Sequence, residues 1–88
     1  MEFDWDEEKR RSNIAKHGLD FADAQKFGWE EALFIDDFPI HGEARVIAIG
    51  PLANRLVLIV FTLRGDTCRI ISMRNTEPKE RKLYRDAL

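Results

Sequence analysis

Arg64, Arg69 and Arg74 recur at five-residue intervals late in the chain, and Arg81 and Arg85 follow four apart. A guanidinium stays charged at physiological pH and grips a phosphate through two parallel N–H donors. Several of them beside an aromatic ring would hold RNA by phosphate contacts and base stacking. From the residues alone, ordinary solvated charge is the stronger reading of the same arginines, with Asp66 and Glu80 as ready partners. For proton transfer near neutrality there are two histidines, His17 and His41. His17 closes an expected helix, where a protonated imidazole complements the helix dipole, and an imidazole also suits general acid–base work. His41, beside Gly42 in a polar stretch, reads as an exposed loop residue.

Other chemistries find no footing. One cysteine, Cys68, in a strand-like apolar run reads as a buried reduced thiol, which predicts a cytoplasmic protein. The histidines and this thiol have no zinc-ligand spacing. No glycine-rich phosphate loop, no nucleophilic serine elbow and no basic recognition helix is present. No metal and no cofactor is expected.

The elements that must carry these residues follow from caps and periodicity. Phe3 to Trp5 reads as a short edge strand. Asp4 or Asp6 caps a helix over Glu7 to His17, which Gly18 ends. Asp20 caps a second short helix, Phe21 to Phe27, with Phe21, Ala24 and Phe27 on one face. An apolar run, Ala32 to Ile35, precedes a turn at Asp36-Asp37-Phe38-Pro39. Ala44 to Gly50 reads as a strand, and Pro51 to Asn54 as a hairpin connection. Arg55 to Arg64 is apolar on both faces, which marks a central, covered strand. Gly65-Asp66 turns into the last strand, Thr67 to Asn75. On it the spacing of Arg69 and Arg74 predicts opposite faces. Pro78 opens a final helix over Lys79 to Ala87. The fold class is α+β: two N-terminal helices, an antiparallel meander of three to four strands and a C-terminal helix.

The 88 residues make one domain, residues 1–88, with 44% hydrophobic and 34% charged residues. The net charge of −2 hides an asymmetry. Residues 1–63 carry 7 Lys/Arg against 12 Asp/Glu, and residues 64–88 carry 7 against 4. The basic end is the one that holds the arginine series. Nothing reads as a signal core or a membrane span.

Taken in order, the motifs resemble those of the BrnT toxins of BrnT–BrnA type II toxin–antitoxin systems. They are Phe3-x-Trp5-Asp6 with Lys9, Asn13, Lys16-His17-Gly18, Phe21-x-x-Ala24, Glu43-x-Arg45, Ile49-Gly50, Thr62-x-Arg64-Gly65, Arg69-Ile70-Ile71-Ser72 with Arg74, and Glu80-Arg81-x-x-Tyr84. The resemblance implies a RelE-like fold and a ribonuclease that cuts RNA, inhibits translation and arrests growth. It implies as partner a BrnA-like antitoxin of ribbon-helix-helix type, through which alone operator DNA is bound and the operon repressed. Metal-independent cleavage to a 2′,3′-cyclic phosphate would then rest on Arg64, Arg74, His17, Glu80 and Tyr84. Arg69, Arg81, Lys16 and Arg45 would contact RNA. Leu63 and Asn75 depart from the pattern, standing where an acid and a base are common. The rival readings are an inactive, antitoxin-binding corepressor and an unrelated α+β interaction domain.

Overall fold

The computed structural model describes residues 1–88. β1 (Glu2–Trp5) leads into α1 (Glu7–His17) through Asp6, whose carboxylate accepts from the Glu8 and Lys9 amides. Asp6 rather than Asp4 is therefore the N-cap. Gly18 ends α1 with φ 69°, in the left-handed region open to glycine.

The expected second α-helix is instead a six-residue 3-10 helix, Phe21–Lys26, capped by Asp20. Phe21, Ala24 and Phe27 recur every third residue, which matches the 3-10 period and aligns them on one face. All three are buried. A shorter 3-10 turn, Trp29–Glu31, follows.

The remaining strands are β2 (Leu33–Ile40), β3 (Glu43–Leu52), β4 (Arg55–Arg64) and β5 (Thr67–Asn75), and α2 (Pro78–Asp86) closes the chain. The sheet has five strands in the order β1-β5-β4-β3-β2 and is mixed, because β1 pairs parallel with β5. The antiparallel meander of β2 to β5 is as expected, but β1 extends it. β2 continues through Asp36-Asp37-Phe38-Pro39, where a turn was expected, with a shift of register between Asp37 and Ile40. Pro39 is tolerated because β2 is an edge strand. The turn lies at His41-Gly42, with φ 52° and 76° and Ile40 paired to Glu43. Two central residues at positive φ mark a tight hairpin whose twist matches its strands.

β4 is covered on both sides, as its composition demands. On one face Val57, Ile59 and Phe61 pack with Phe21, Ala24, Phe27, Ile70 and Met73. Trp29 completes that side, donating its indole N–H to the Ala24 carbonyl at 2.8 Å and stacking on Phe3. On the other face Leu58 and Val60 join Ile49 and Tyr84 of α2. Cys68 is fully buried, and burial pushes its thiol up to about 11, far from thiolate reactivity.

α1 continues the line of β1 along the β5 edge. Asn13, 7% exposed, donates to the Leu19 and Met73 carbonyls at 3.0 and 2.8 Å and accepts from the Met73 amide at 3.2 Å. One side chain thus takes the place of a pairing strand where β1 has ended.

Gly50 is required by contact rather than by backbone angle. A Cβ there would stand 2.8 Å from the Phe27 ring and 3.1 Å from the Ala32 Cβ. Gly50→Ala is expected to destabilise the fold by about 1–3 kcal/mol, read as a lower urea midpoint at constant m. No helix is long and apolar enough to cross a membrane.

Candidate active site

Along β4, Thr62 and Arg64 alternate with Leu58 and Val60 and share their face. Arg45 alternates likewise with Ile47 and Ile49 on β3. On β5 the pairing jumps from Phe61↔Ile70 to Val60↔Ser72, so Ile71 is an extra residue, a β-bulge. The bulge resets the alternation. Arg69 opposes Thr62 and Arg74 opposes Leu58, so both arginines lie on one face and not on opposite faces.

α2 covers only the part of this face around Leu58 and Val60. Beyond it lies an open depression of about 520 Å³. Lys9, His41, Glu43, Arg45, Thr62, Arg64 and Arg69 line it, with Ile40 and Ile71. Four cations from α1, β3, β4 and β5 therefore meet at one place.

Two of them are held by carboxylates. Arg64 donates to Glu43 through Nε and Nη2 at 2.9 and 3.2 Å. This pair holds the Glu43 carboxyl below its usual range and raises the guanidinium. Arg69 lies 3.2 Å from Asp4 of β1, to which its strand position pairs it. Arg45 differs, because its Nε is buried and makes no hydrogen bond. An unsatisfied buried donor is costly. Thr62 is fixed by donating to the Ala44 carbonyl at 2.7 Å.

A shallower depression of about 200 Å³ adjoins the first, sharing Lys9 and Ile71. Lys16 and His17 line it with Ser12, Asn13 and Ser72. His17 is thus beside the cation cluster and not within it.

The other expected site residues gather at the seat of α2. Arg74 donates to both Glu80 oxygens, at 2.9 and 2.7 Å, and Glu80 also accepts from the Glu77 amide in a capping box. Arg81 donates to the Thr76 carbonyl at 2.6 Å. Tyr84, 9% exposed, donates its hydroxyl to the Glu31 carbonyl at 2.9 Å. None of these four lines either depression; the bulge brings Arg74 to the face of Arg69 but five residues further along β5. Leu63 and Asn75 also lie outside the depressions, Leu63 on the opposite face beside Cys68.

The Arg74–Glu80 pair has a testable sign. Its hydrogen bonds hold the Glu80 carboxyl below the usual range. A depressed carboxyl contributes stability above its unfolded value, about pH 4.3, and loses it as pH falls through the folded value. Glu80→Gln is expected to cost about 1 kcal/mol at pH 7 and to lose less stability on acidification below about pH 4. Urea midpoints across that range check it.

His41, Glu43 and Lys9 were not among the residues expected at the site. The signal for the first two was the His41-Gly42 dipeptide. A two-residue turn there sets Glu43 opposite Arg64 and hangs His41 over the same edge.

A family model, that of the ribonuclease toxin BrnT of type II toxin–antitoxin systems, matches residues 5–80. The chain is also similar to the Brucella abortus ribonuclease toxin BrnT, known from a crystal structure. The TM-score is 0.70 at 38% identity, over 88% of this chain and 97% of that one. A comparison with curated proteins finds no match. A match over most of the chain, from Trp5 to Glu80, together with a shared fold at this identity, makes the chain a member of the BrnT family of ribonuclease toxins of type II toxin–antitoxin systems.

Proposed function

We propose that the chain cleaves RNA without a metal ion, at the depression formed by Lys9, Arg45, Arg64 and Arg69. The 2′-hydroxyl attacks the adjacent phosphorus, giving a 2′,3′-cyclic phosphate and a 5′-hydroxyl end. Negative charge grows on the phosphoryl oxygens, and fixed cations aimed at it take the role a metal plays in other nucleases. The observation that carries this reading is the meeting of four cations, Lys9, Arg45, Arg64 and Arg69, in one open depression. Arg64 keeps Glu43 on Nε and Nη2 and offers Nη1 to phosphate. Lys16 and His17 extend the surface to a neighbouring nucleotide. Arg74, Glu80, Arg81 and Tyr84 act at a distance by seating α2 against the sheet.

The partner proposed is a BrnA-like antitoxin of ribbon-helix-helix type, through which the pair reaches operator DNA and represses its own operon. Acidic antitoxin segments would compete with RNA for the same cations. Translation inhibition and growth arrest in the cytoplasm follow from RNA loss. One observation favours an inactive corepressor instead: Arg64 and Arg69 are both neutralised in the free chain.

The deciding experiment uses antitoxin-free chain, end-labelled RNA and EDTA, with a folded Arg64→Ala/Arg69→Ala control. Cyclic-phosphate fragments absent from the control are expected. No cleavage by folded wild-type chain would overturn the proposal in favour of the corepressor.

A further inference from the structure

The cleavage proposed above needs two proton movements. The bond from the 2′-oxygen to phosphorus forms while the bond from phosphorus to the 5′-oxygen breaks. The 2′-hydroxyl proton must leave, and the 5′-oxygen must gain one. No electrons change hands. A lysine or arginine is too basic to serve as the proton-accepting group near neutrality, and the Glu43 carboxylate is tied to Arg64. His17 belongs to the adjoining depression.

We infer that His41, on the β2–β3 turn, is a catalytic proton-transfer residue of the arginine depression. The inference rests on the ribonuclease reading and adds to it the group that moves the proton. Three observations support it. His41 is the only histidine lining the depression. It is exposed, so a substrate can reach the ring. Its backbone is held at φ 52°, a left-handed position that asparagine, aspartate and histidine adopt more readily than other side-chained residues. A hairpin of this kind is best served by Asn-Gly. The turn also fixes it, since Ile40 pairs with Glu43 and Glu43 is clamped by Arg64.

Charged groups from every neighbouring element share the depression with His41. They are Lys9 of α1, Glu43 and Arg45 of β3, Arg64 of β4 and Arg69 of β5, with Asp4 of β1 behind Arg69. A pH profile of any His41 variant therefore has to be read against Glu43→Gln, which alters the nearest carboxylate.

The test compares wild type, His41→Ala and His41→Asn; the asparagine variant suits the positive φ and keeps the hairpin intact. Two substrates are used, a dinucleotide and the matching nucleoside 3′-(4-nitrophenyl phosphate). Both variants are expected to lose about 10²- to 10³-fold in kcat on the dinucleotide, with KM little changed and one limb of the pH profile gone. If His41 protonates the 5′-oxygen, the nitrophenyl ester restores near wild-type rates, because that leaving group needs no proton. If His41 takes the 2′ proton, the ester loses as much as the dinucleotide. Either pattern supports the inference. Folded His41→Asn that cleaves the dinucleotide within threefold of wild type, with both limbs present, overturns it. Failure of the ribonuclease reading looks different: wild type itself then cleaves neither substrate.

Discussion

Arg64→Ala is expected to lower kcat for RNA cleavage by about two to three orders of magnitude, the usual loss when one preorganised donor to a developing oxyanion is removed. The fold should not notice. Arg64 is about half exposed, its one partner is Glu43, and both groups are open to solvent. An exposed ion pair of this kind contributes about 0–1 kcal/mol. The thermal midpoint should therefore stay within a few degrees, which separates the loss of chemistry from unfolding. Arg64→Lys keeps the charge but not the two-pronged fork, so it should fall between wild type and alanine. Single-turnover rates on a short RNA, with circular dichroism on each variant, provide the check. A loss below tenfold for Arg64→Ala would remove Arg64 from the centre of the site and leave Arg45 and Arg69 as its anions' main holders.

Asn13→Leu is expected to be the most destabilising single change away from the apolar core. The leucine fills similar space, so little cavity forms. It strands two carbonyls and one amide, those of Leu19 and Met73, in a position sealed from water. Each buried unpaired group costs about 1–3 kcal/mol, and with partial relaxation the sum is about 3 kcal/mol. For a domain of this length that is a fall in Tm of about 12–24 °C. Asn13→Asp tests the same point with less change in shape, because it keeps the acceptor for the Met73 amide and loses the donors. Urea denaturation at pH 7 checks both. A change under 1 kcal/mol for Asn13→Leu would mean that water replaces the amide at the β5 edge.

Local signals were readable in the sequence, and distant ones were not. Gly18 as the end of α1, Pro78 at the start of α2 and β4 as the covered centre each follow from a few adjacent residues, and all are present. The three-residue spacing of Phe21, Ala24 and Phe27 was visible too, but it encodes a 3-10 helix rather than an α-helix. The turn was misplaced because Asp36-Asp37-Phe38-Pro39 has the stronger turn composition, while an edge position makes Pro39 harmless to β2. Pairing of β1 with β5 joins residues more than sixty apart, and no local pattern announces it.

The candidate site was legible as a set of arginines and illegible as an arrangement. A single inserted residue, Ile71, decides that Arg69 and Arg74 share a face. The split between Arg45, Arg64 and Arg69 in the open depression and Arg74 and Arg81 under α2 depends on where α2 lies. That is settled by Tyr84 reaching the Glu31 carbonyl, a contact between residues 53 apart. Asn13 was visible only as one polar residue in a helix; its bonds to β5 depend on tertiary placement.

The late pairing of β1 has a consequence during synthesis. The chain leaves the ribosome from its N-terminus, so β1 and α1 emerge first and have no strand to join. Their partner, β5, begins only at Thr67. Lys9 cannot reach the cation cluster, and Asp4 cannot restrain Arg69, until about three quarters of the protein has been made. A nascent or prematurely released fragment therefore lacks the assembled depression. The topology keeps a ribonuclease toxin incomplete until most of its own message has been translated.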